Sequence, residues 1–235
     1  MADHYRTLGI ILKKKEKGEA DQLFTIFTKD FGKLNILGRG IRKSTSKLRA
    51  GMELFYLSEI EFIQGKTQKT LTDSLLVDKF ANLRKDFKRL TLAFKITRTL
   101  NRLVQDEESD PKIWRLLKEV FNKLNDKSLA ITYLLLIYYY FLWNLFSVLG
   151  YKPELFYCFS CQKKLSPGLI YFNSKEGGLF CSNCLRSGSF RGGGRISSDT
   201  IKVLRIIIKG DWKVLSRLKI EPIHRKELKE ISQTF

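Results

Sequence analysis

Apolar and polar positions alternate in short runs as far as Leu76, and from Phe80 onward the apolar residues recur at helical spacing. Thr7–Leu12 is an apolar run that ends in Lys13-Lys14-Lys15. Gln22–Thr28 and Lys33–Leu37 flank Lys29-Asp30-Phe31-Gly32, a turn whose glycine takes positive φ easily. Leu54–Ile63 places Leu54, Tyr56, Ile60 and Phe62 on one face and Glu59 and Glu61 on the other, the pattern of a half-buried strand. Gly65-Lys66 turns the chain into Thr67–Leu76. These runs predict five short strands.

Five strands in so short a stretch predict a small antiparallel barrel. An OB-fold has that strand count, and closure removes the exposed edges that short strands would otherwise leave. Beyond it, Phe87, Leu90, Phe94 and Leu103 predict a first long helix. Ser109-Asp110-Pro111 is a capping side chain followed by proline in the first turn, and Ile113–Leu124 continues as an amphipathic helix. Ser128 suits the cap of a third helix reaching Leu149, which Gly150 ends and Pro153 keeps from resuming. Leu129–Leu149 carries no charge and is close to the ~20 residues a membrane span needs. Thr132, Asn144 and Ser147 interrupt it, and its tyrosines lie in the middle instead of at the ends, so a buried central helix is expected. Ile201, Leu204, Ile207 and Ile208, then Trp212, Leu215 and Leu218, mark two more helical stripes before the charged amphipathic tail His224–Ile231.

The four cysteines stand as Cys158-x-x-Cys161 and Cys181-x-x-Cys184. Each pair aims two sulfurs at one point, and the spacing between pairs fits one Zn2+ held by four thiolates. Two disulfides or CxxC redox chemistry are the other readings of the same residues. A four-thiolate shell is closed and has no open position for substrate, so the ion is expected to be structural. Tyr157–Cys184 forms this module, with a turn at Gly177-Gly178 and a flexible exit through Gly188, Gly192, Gly193 and Gly194. The fold class expected is α+β and multidomain. Residues 1–79 are the OB-fold barrel, 80–150 with 195–235 a helical bundle, and 151–194 an inserted zinc module.

Lys and Arg number 43 against 24 Asp and Glu, a net charge of +19. Such an excess points to an anionic partner, nucleic acid or an acidic membrane surface. The basic segment Arg39, Arg42, Lys43, Lys47 and Arg49 follows the third predicted strand, and Gly38, Gly40 and Ser44-Thr45-Ser46 would keep it mobile. Lys13, Lys14, Lys15 and Lys33 extend the patch. Their expected role is sequence-independent neutralisation of DNA phosphates. Gly65-Lys66-Thr67 is not a phosphate loop, because Ile60 stands where that motif needs glycine. The only histidines are His4 and His224, and no catalytic constellation is visible, so a non-enzymatic protein is expected. The N-terminus lacks a signal-peptide core and the cysteine pairs suit a reducing compartment, which together indicate a cytosolic protein.

Two stretches carry a resemblance. The first runs Gly18-Glu19-Ala20-Asp21-Gln22-Leu23, Phe27–Lys33, Gly38–Lys43 and Ser46–Arg49. The second is Leu149-Gly150-Tyr151-Lys152-Pro153-Glu154-Leu155, leading into Cys158. In this order they resemble the RecO family of bacterial recombination mediators. The resemblance implies an N-terminal OB-fold, a helical domain and a zinc module. It also implies binding of single- and double-stranded DNA and annealing of complementary strands. Its implied partners are RecR, the acidic C-terminal tail of single-strand-binding protein and, indirectly, the RecA recombinase, with no membrane and a nucleoid-associated cytoplasmic location. The alternative is a zinc-containing protein-interaction adaptor with no direct DNA function.

Overall fold

The computed structural model describes residues 3–166, 168–187 and 193–233. Its contacts divide the chain into two compact units, Met1–Leu134 and Leu135–Phe235.

In the first unit, β1 (His4–Lys17), β2 (Asp21–Thr28), β3 (Gly32–Gly38), β4 (Leu57–Gln64) and β5 (Lys69–Asp78) close into a barrel ordered β1-β2-β3-β5-β4. This is the expected OB-fold. The length of β1 explains the closure, since His4–Ile10 pairs with β4 and Gly9–Lys17 with β2. The seam between β3 and β5 is parallel and short, Ile36 and Leu37 against Lys69 and Thr70. Ile11, Phe24, Ile26, Leu34, Ile36, Ile60, Phe62 and Leu71 fill the interior.

The structure corrects the start of the fourth strand. It begins at Leu57, because Phe55 sits at φ 65, outside extended geometry. Leu54 and Tyr56 still pack on the barrel core, so the alternation seen in the sequence is real but comes from a turn. Phe55 points the other way, fully buried and edge-on to Phe94 and Phe121. Through it the barrel joins α2 (Phe87–Leu103) and α3 (Pro111–Asn125), while α1 (Ala81–Lys85) reaches it through Arg84, which donates to Leu54 O.

The buried face of α2 is Arg89, Ala93, Ile96, Thr97 and Leu100, whereas Phe87 is 81% exposed and Phe94 48%. The spacing of Phe87, Leu90, Phe94 and Leu103 thus marks the helix but not its buried face, and of the two phenylalanines Phe94 still meets Phe55. Asp86 caps α2 by accepting from the N–H groups of Lys88 and Arg89, and the helix turns Phe87 outward from its first position. Buried Arg89 donates to the carbonyls of Leu124, Asp126 and Leu129, satisfying the end of α3. Asp110 and Pro111 start α3 as expected.

The second unit takes up all but the first turn of α4 (Ile131–Val148), and within it the helix is buried nearly all round from Leu136 to Phe146. No helix among the described residues is long and apolar enough to cross a membrane. The polar atoms of α4 have partners within the protein. Tyr140 donates to Gly210 O, Asn144 to Ile207 O and Trp143 Nε1 to Ser232 Oγ. Gly150 adopts φ 91, and the amides of Gly150 and Tyr151 reach back to Ser147 O and Phe146 O, a Schellman end. Ser128 does not open this helix; its hydroxyl donates to Asp126. Around α4 lie β6 (Glu154–Cys158), β7 (Ile170–Asn173), β8 (Gly178–Cys181), α5 (Ser182–Arg186), β9 (Gly194–Ile196), α6 (Ser198–Lys209), α7 (Trp212–Leu215) and α8 (Pro222–Gln233). The strands form one sheet ordered β6-β8-β7-β9. Gly188 and Gly192 lie outside the described residues.

Candidate nucleic-acid interface and metal centre

A β-bulge decides which lysines of β1 reach solvent. Ile11 pairs with Ile26, but Lys14 pairs with Phe24, so one extra residue lies between them. Without the shift, Lys13 and Lys15 would share the inward parity of Ile11. With it, both are exposed on the outer face, while Lys14 turns to the other side and its Nζ sits 2.6 Å from Glu53 Oε2.

Lys13 and Lys15 form one wall of a cleft of about 680 Å³. Leu23 and Thr25 of β2, Lys33 and Asn35 of β3, Lys66 of the β4–β5 turn and Lys69 at the start of β5 complete it. The floor is ordered, since Thr25 Oγ1 donates to Asn35 Oδ1 at 2.9 Å. The β4–β5 turn closes through Gly65 N–H on Gln68 O and reaches the same face because β5 returns beside β3. This is the surface by which OB-folds take up oligonucleotides, the β2–β3 face flanked by the β4–β5 loop. Among the described residues, Lys13, Lys15 and Lys66 have no ion-pair partner.

Lys33 differs from the exposed lysines with which the sequence grouped it. Its side chain is 8% exposed, and its ammonium donates to Val104 O at 2.6 Å and Asn101 O at 3.0 Å and pairs with Asp106 at 3.0 Å. It ties the end of α2 to β3.

The Arg39–Arg49 segment does not line the cleft. It folds beside the β1–β2 turn, where Arg42 N–H donates to Ala20 O and Gly40 N–H to Asp21. Nor does it hang free, because Ile41 is buried in the barrel core and Leu48 packs against it. Arg39, Lys43, Lys47 and Arg49 are exposed and without ion pairs among the described residues, while Arg42 lies 3.5 Å from Glu16. Lys66, read from the sequence as part of a turn, and Lys69 were not among the expected phosphate contacts. The signal was the order of an OB barrel, which brings the β4–β5 turn to the β2–β3 face.

In the second unit the four cysteine sulfurs lie within 4.8 Å of one another. Cys158 and Cys184 are 3.8 Å apart and Cys161 and Cys181 3.9 Å. Thiolates ~2.3 Å from a tetrahedral zinc are ~3.8 Å apart, whereas a disulfide needs ~2 Å. The donor set therefore fits a structural zinc, with all four positions filled by protein. Cys158 ends β6 and Cys181 ends β8, so the sheet fixes two of the ligands, and Cys184 follows on α5. Burial opposes charge on Cys158, but the backbone amides of Cys161, Cys181 and Ser160 outweigh it and bring the thiol down to about 6. Ser160 favours the Cys184 thiolate, yet burial and the three neighbouring sulfurs push it up to about 12. Four sulfurs this close ionise together only around a cation.

Two family descriptions match the chain, "Recombination protein O N terminal" over residues 1–80 and "Recombination protein O C terminal" over residues 84–235. A protein named DNA repair protein RecO from Dehalococcoides mccartyi is 33% identical over 216 residues, 92% of this chain and 83% of its own. Proteins of the same name from Syntrophomonas wolfei and Alkaliphilus metalliredigens are 30% and 28% identical. These matches cover 96% and 98% of this chain and 87% and 91% of theirs.

Proposed function

The chain belongs to the RecO family of DNA repair proteins, and we propose that it is a non-enzymatic recombination mediator that binds DNA through the basic face of its barrel. The observation that carries this reading is the cleft in which Lys13, Lys15 and Lys66, without ion pairs among the described residues, converge on the oligonucleotide face of an OB-fold. Ammonium groups there meet phosphates and release counterions without reading sequence. Arg39, Arg42, Lys43, Lys47 and Arg49 form a second basic set on the same barrel, outside the cleft. Two sets suit two strands: holding both backbones lowers their repulsion and raises their local concentration, so annealing accelerates without ATP. The charge of Lys14 is engaged by Glu53 and that of Lys33 by the end of α2, so neither is assigned a phosphate.

In this reading residues 1–79 are the DNA-binding domain. Residues 80–150 with 195–235 are a helical platform, and 151–194 are a module stapled by one zinc. The family supplies the rest of the proposal: single- and double-stranded DNA as ligands, the tail of single-strand-binding protein and RecR as partners, RecA loading as the outcome, and the bacterial cytoplasm as the location. Titration of a labelled single strand at several salt concentrations tests it. Three free lysines in the cleft predict a slope of log affinity against log salt of at least about −2. Changing Arg39, Arg42, Lys43 and Lys47 to Glu is expected to slow annealing of complementary oligonucleotides. Weak, salt-insensitive binding would instead favour the adaptor.

A further inference from the structure

The connection between α2 and α3 carries three consecutive acids, Asp106-Glu107-Glu108, and lies against the barrel. Glu107 N–H donates to Lys33 O at 2.9 Å, and Asp106 bridges Lys33 in parallel, so the loop adds a short rung to the start of β3. Gly32 permits the approach, since a Cβ there would stand 2.2 Å from Glu108 O. Glu107 is held at φ 62, a left-handed conformation that a residue with a side chain adopts at a cost. In that conformation its Oε1 lies 2.6 Å from Lys69 Nζ. Asp106 lies 3.0 Å from Lys33 Nζ and 3.3 Å from Asn35 Nδ2. Both acids line the cleft, among its five lysines. Their carboxylates thus stand where a phosphate would have to sit to reach Lys69 and Asn35.

We propose that the Asp106–Glu107 loop is a resident phosphate surrogate that sets how tightly the cleft holds a strand. This rests on the DNA-binding reading and names a determinant of it. A backbone phosphate reaches Lys69 only by displacing the Glu107 carboxylate. Glu107 is the displaceable member, because its side chain is 63% exposed, whereas Asp106 is tied to a buried ammonium. The strand is therefore held more weakly than the lysines alone would hold it, and it exchanges more readily, as annealing requires.

Glu107→Gln in the full chain removes the charge and keeps the side-chain length and the backbone contact. Labelled oligothymidylate, followed by anisotropy, is expected to bind this variant roughly three- to tenfold more tightly than the wild type, with a salt slope steeper by about 0.7, one further phosphate on a single strand. The gain disappears when Lys69→Ala is added. Glu59→Gln removes the same charge from a carboxylate that faces Arg6 and does not line the cleft; it is expected to leave affinity within about twofold, as surface charge alone acts weakly at ordinary salt. The proposal is overturned if Glu107→Gln binds like the wild type, if Glu59→Gln binds equally tightly, or if the gain survives Lys69→Ala. A wild-type chain that binds no oligonucleotide at low salt overturns the DNA-binding reading and this inference with it.

Discussion

Replacing Lys33 with Met separates a structural lysine from a DNA-contacting one. Met keeps most of the aliphatic stem and deletes the ammonium. What is lost is two charge-assisted donors, to Val104 O and Asn101 O, and the pair with Asp106. The Asp106 side chain is 55% exposed and recovers water, so that pair contributes under about 1 kcal/mol. The carbonyls are different. The contact to Val104 O is buried and both groups lie at the C-terminal end of α2, so each loses a donor without full rehydration, at about 1–3 kcal/mol. Partial rehydration at Asn101 brings the expected total to about 2–4 kcal/mol. In urea, at a slope of about 2 kcal/mol per molar, that moves the midpoint of the first unit's transition by about 1–2 M. Circular dichroism of the full chain checks this, and anisotropy below the transition is expected to show single-strand affinity within about twofold of wild type, since no phosphate contact is lost. A loss under about 0.5 kcal/mol, or an affinity drop as large as that of a Lys13→Met, Lys15→Met double variant, would refute the structural assignment.

Metal analysis is expected to find one zinc per chain. Cys158→Ser is expected to lower the melting temperature while leaving DNA affinity within about threefold, because the site is closed and holds structure; a metal-free chain of undiminished stability would contradict it. Gly32→Ala puts a Cβ 2.2 Å from Glu108 O at a residue held at φ 64, and should cost about 2–4 kcal/mol, read as a urea midpoint shift. Glu227 gives a pH test. Burial opposes its charge, but the Ser197 and Thr200 hydroxyls and the Ser197 amide donate to it and hold its carboxyl below the ordinary 4.5. A depressed native value means the unfolded chain binds the proton more readily, so the stabilisation is complete above about pH 4.5 and is lost as pH falls through the native value. Glu227→Gln is expected to be less stable than wild type at pH 7 by about 1–2 kcal/mol and to close the gap as the wild-type carboxyl protonates in acid; a gap that stays equal down to the acid limit of folding would sink the argument.

What the sequence made legible follows from how local each signal is. The strands and α3 were visible because period-2 alternation and the Asp110-Pro111 start are local. The cysteine cluster was visible because two CxxC turns state their own geometry. The buried face of α2 was not, because Phe87 and Phe94 look like core residues, yet the helix that Asp86 caps buries Arg89, Ala93, Ile96, Thr97 and Leu100 and leaves Phe94 only its contact with Phe55. The bulge at Leu12 was equally hidden, yet it is what exposes Lys13 and Lys15. Charge was the least legible quantity. Lys14, Lys33, Lys69 and Arg89 all count toward +19, but each is engaged by a carboxylate or a helix end. Lys66, which sits in a hairpin with no basic run around it, lines the cleft and has no ion-pair partner among the described residues. A basic run therefore reports how much charge a segment has and not how much of it a phosphate can reach. The reachable charge is set by contacts from far along the chain, such as Glu107 on Lys69, and these are the contacts whose removal distinguishes a binding surface from a merely basic one.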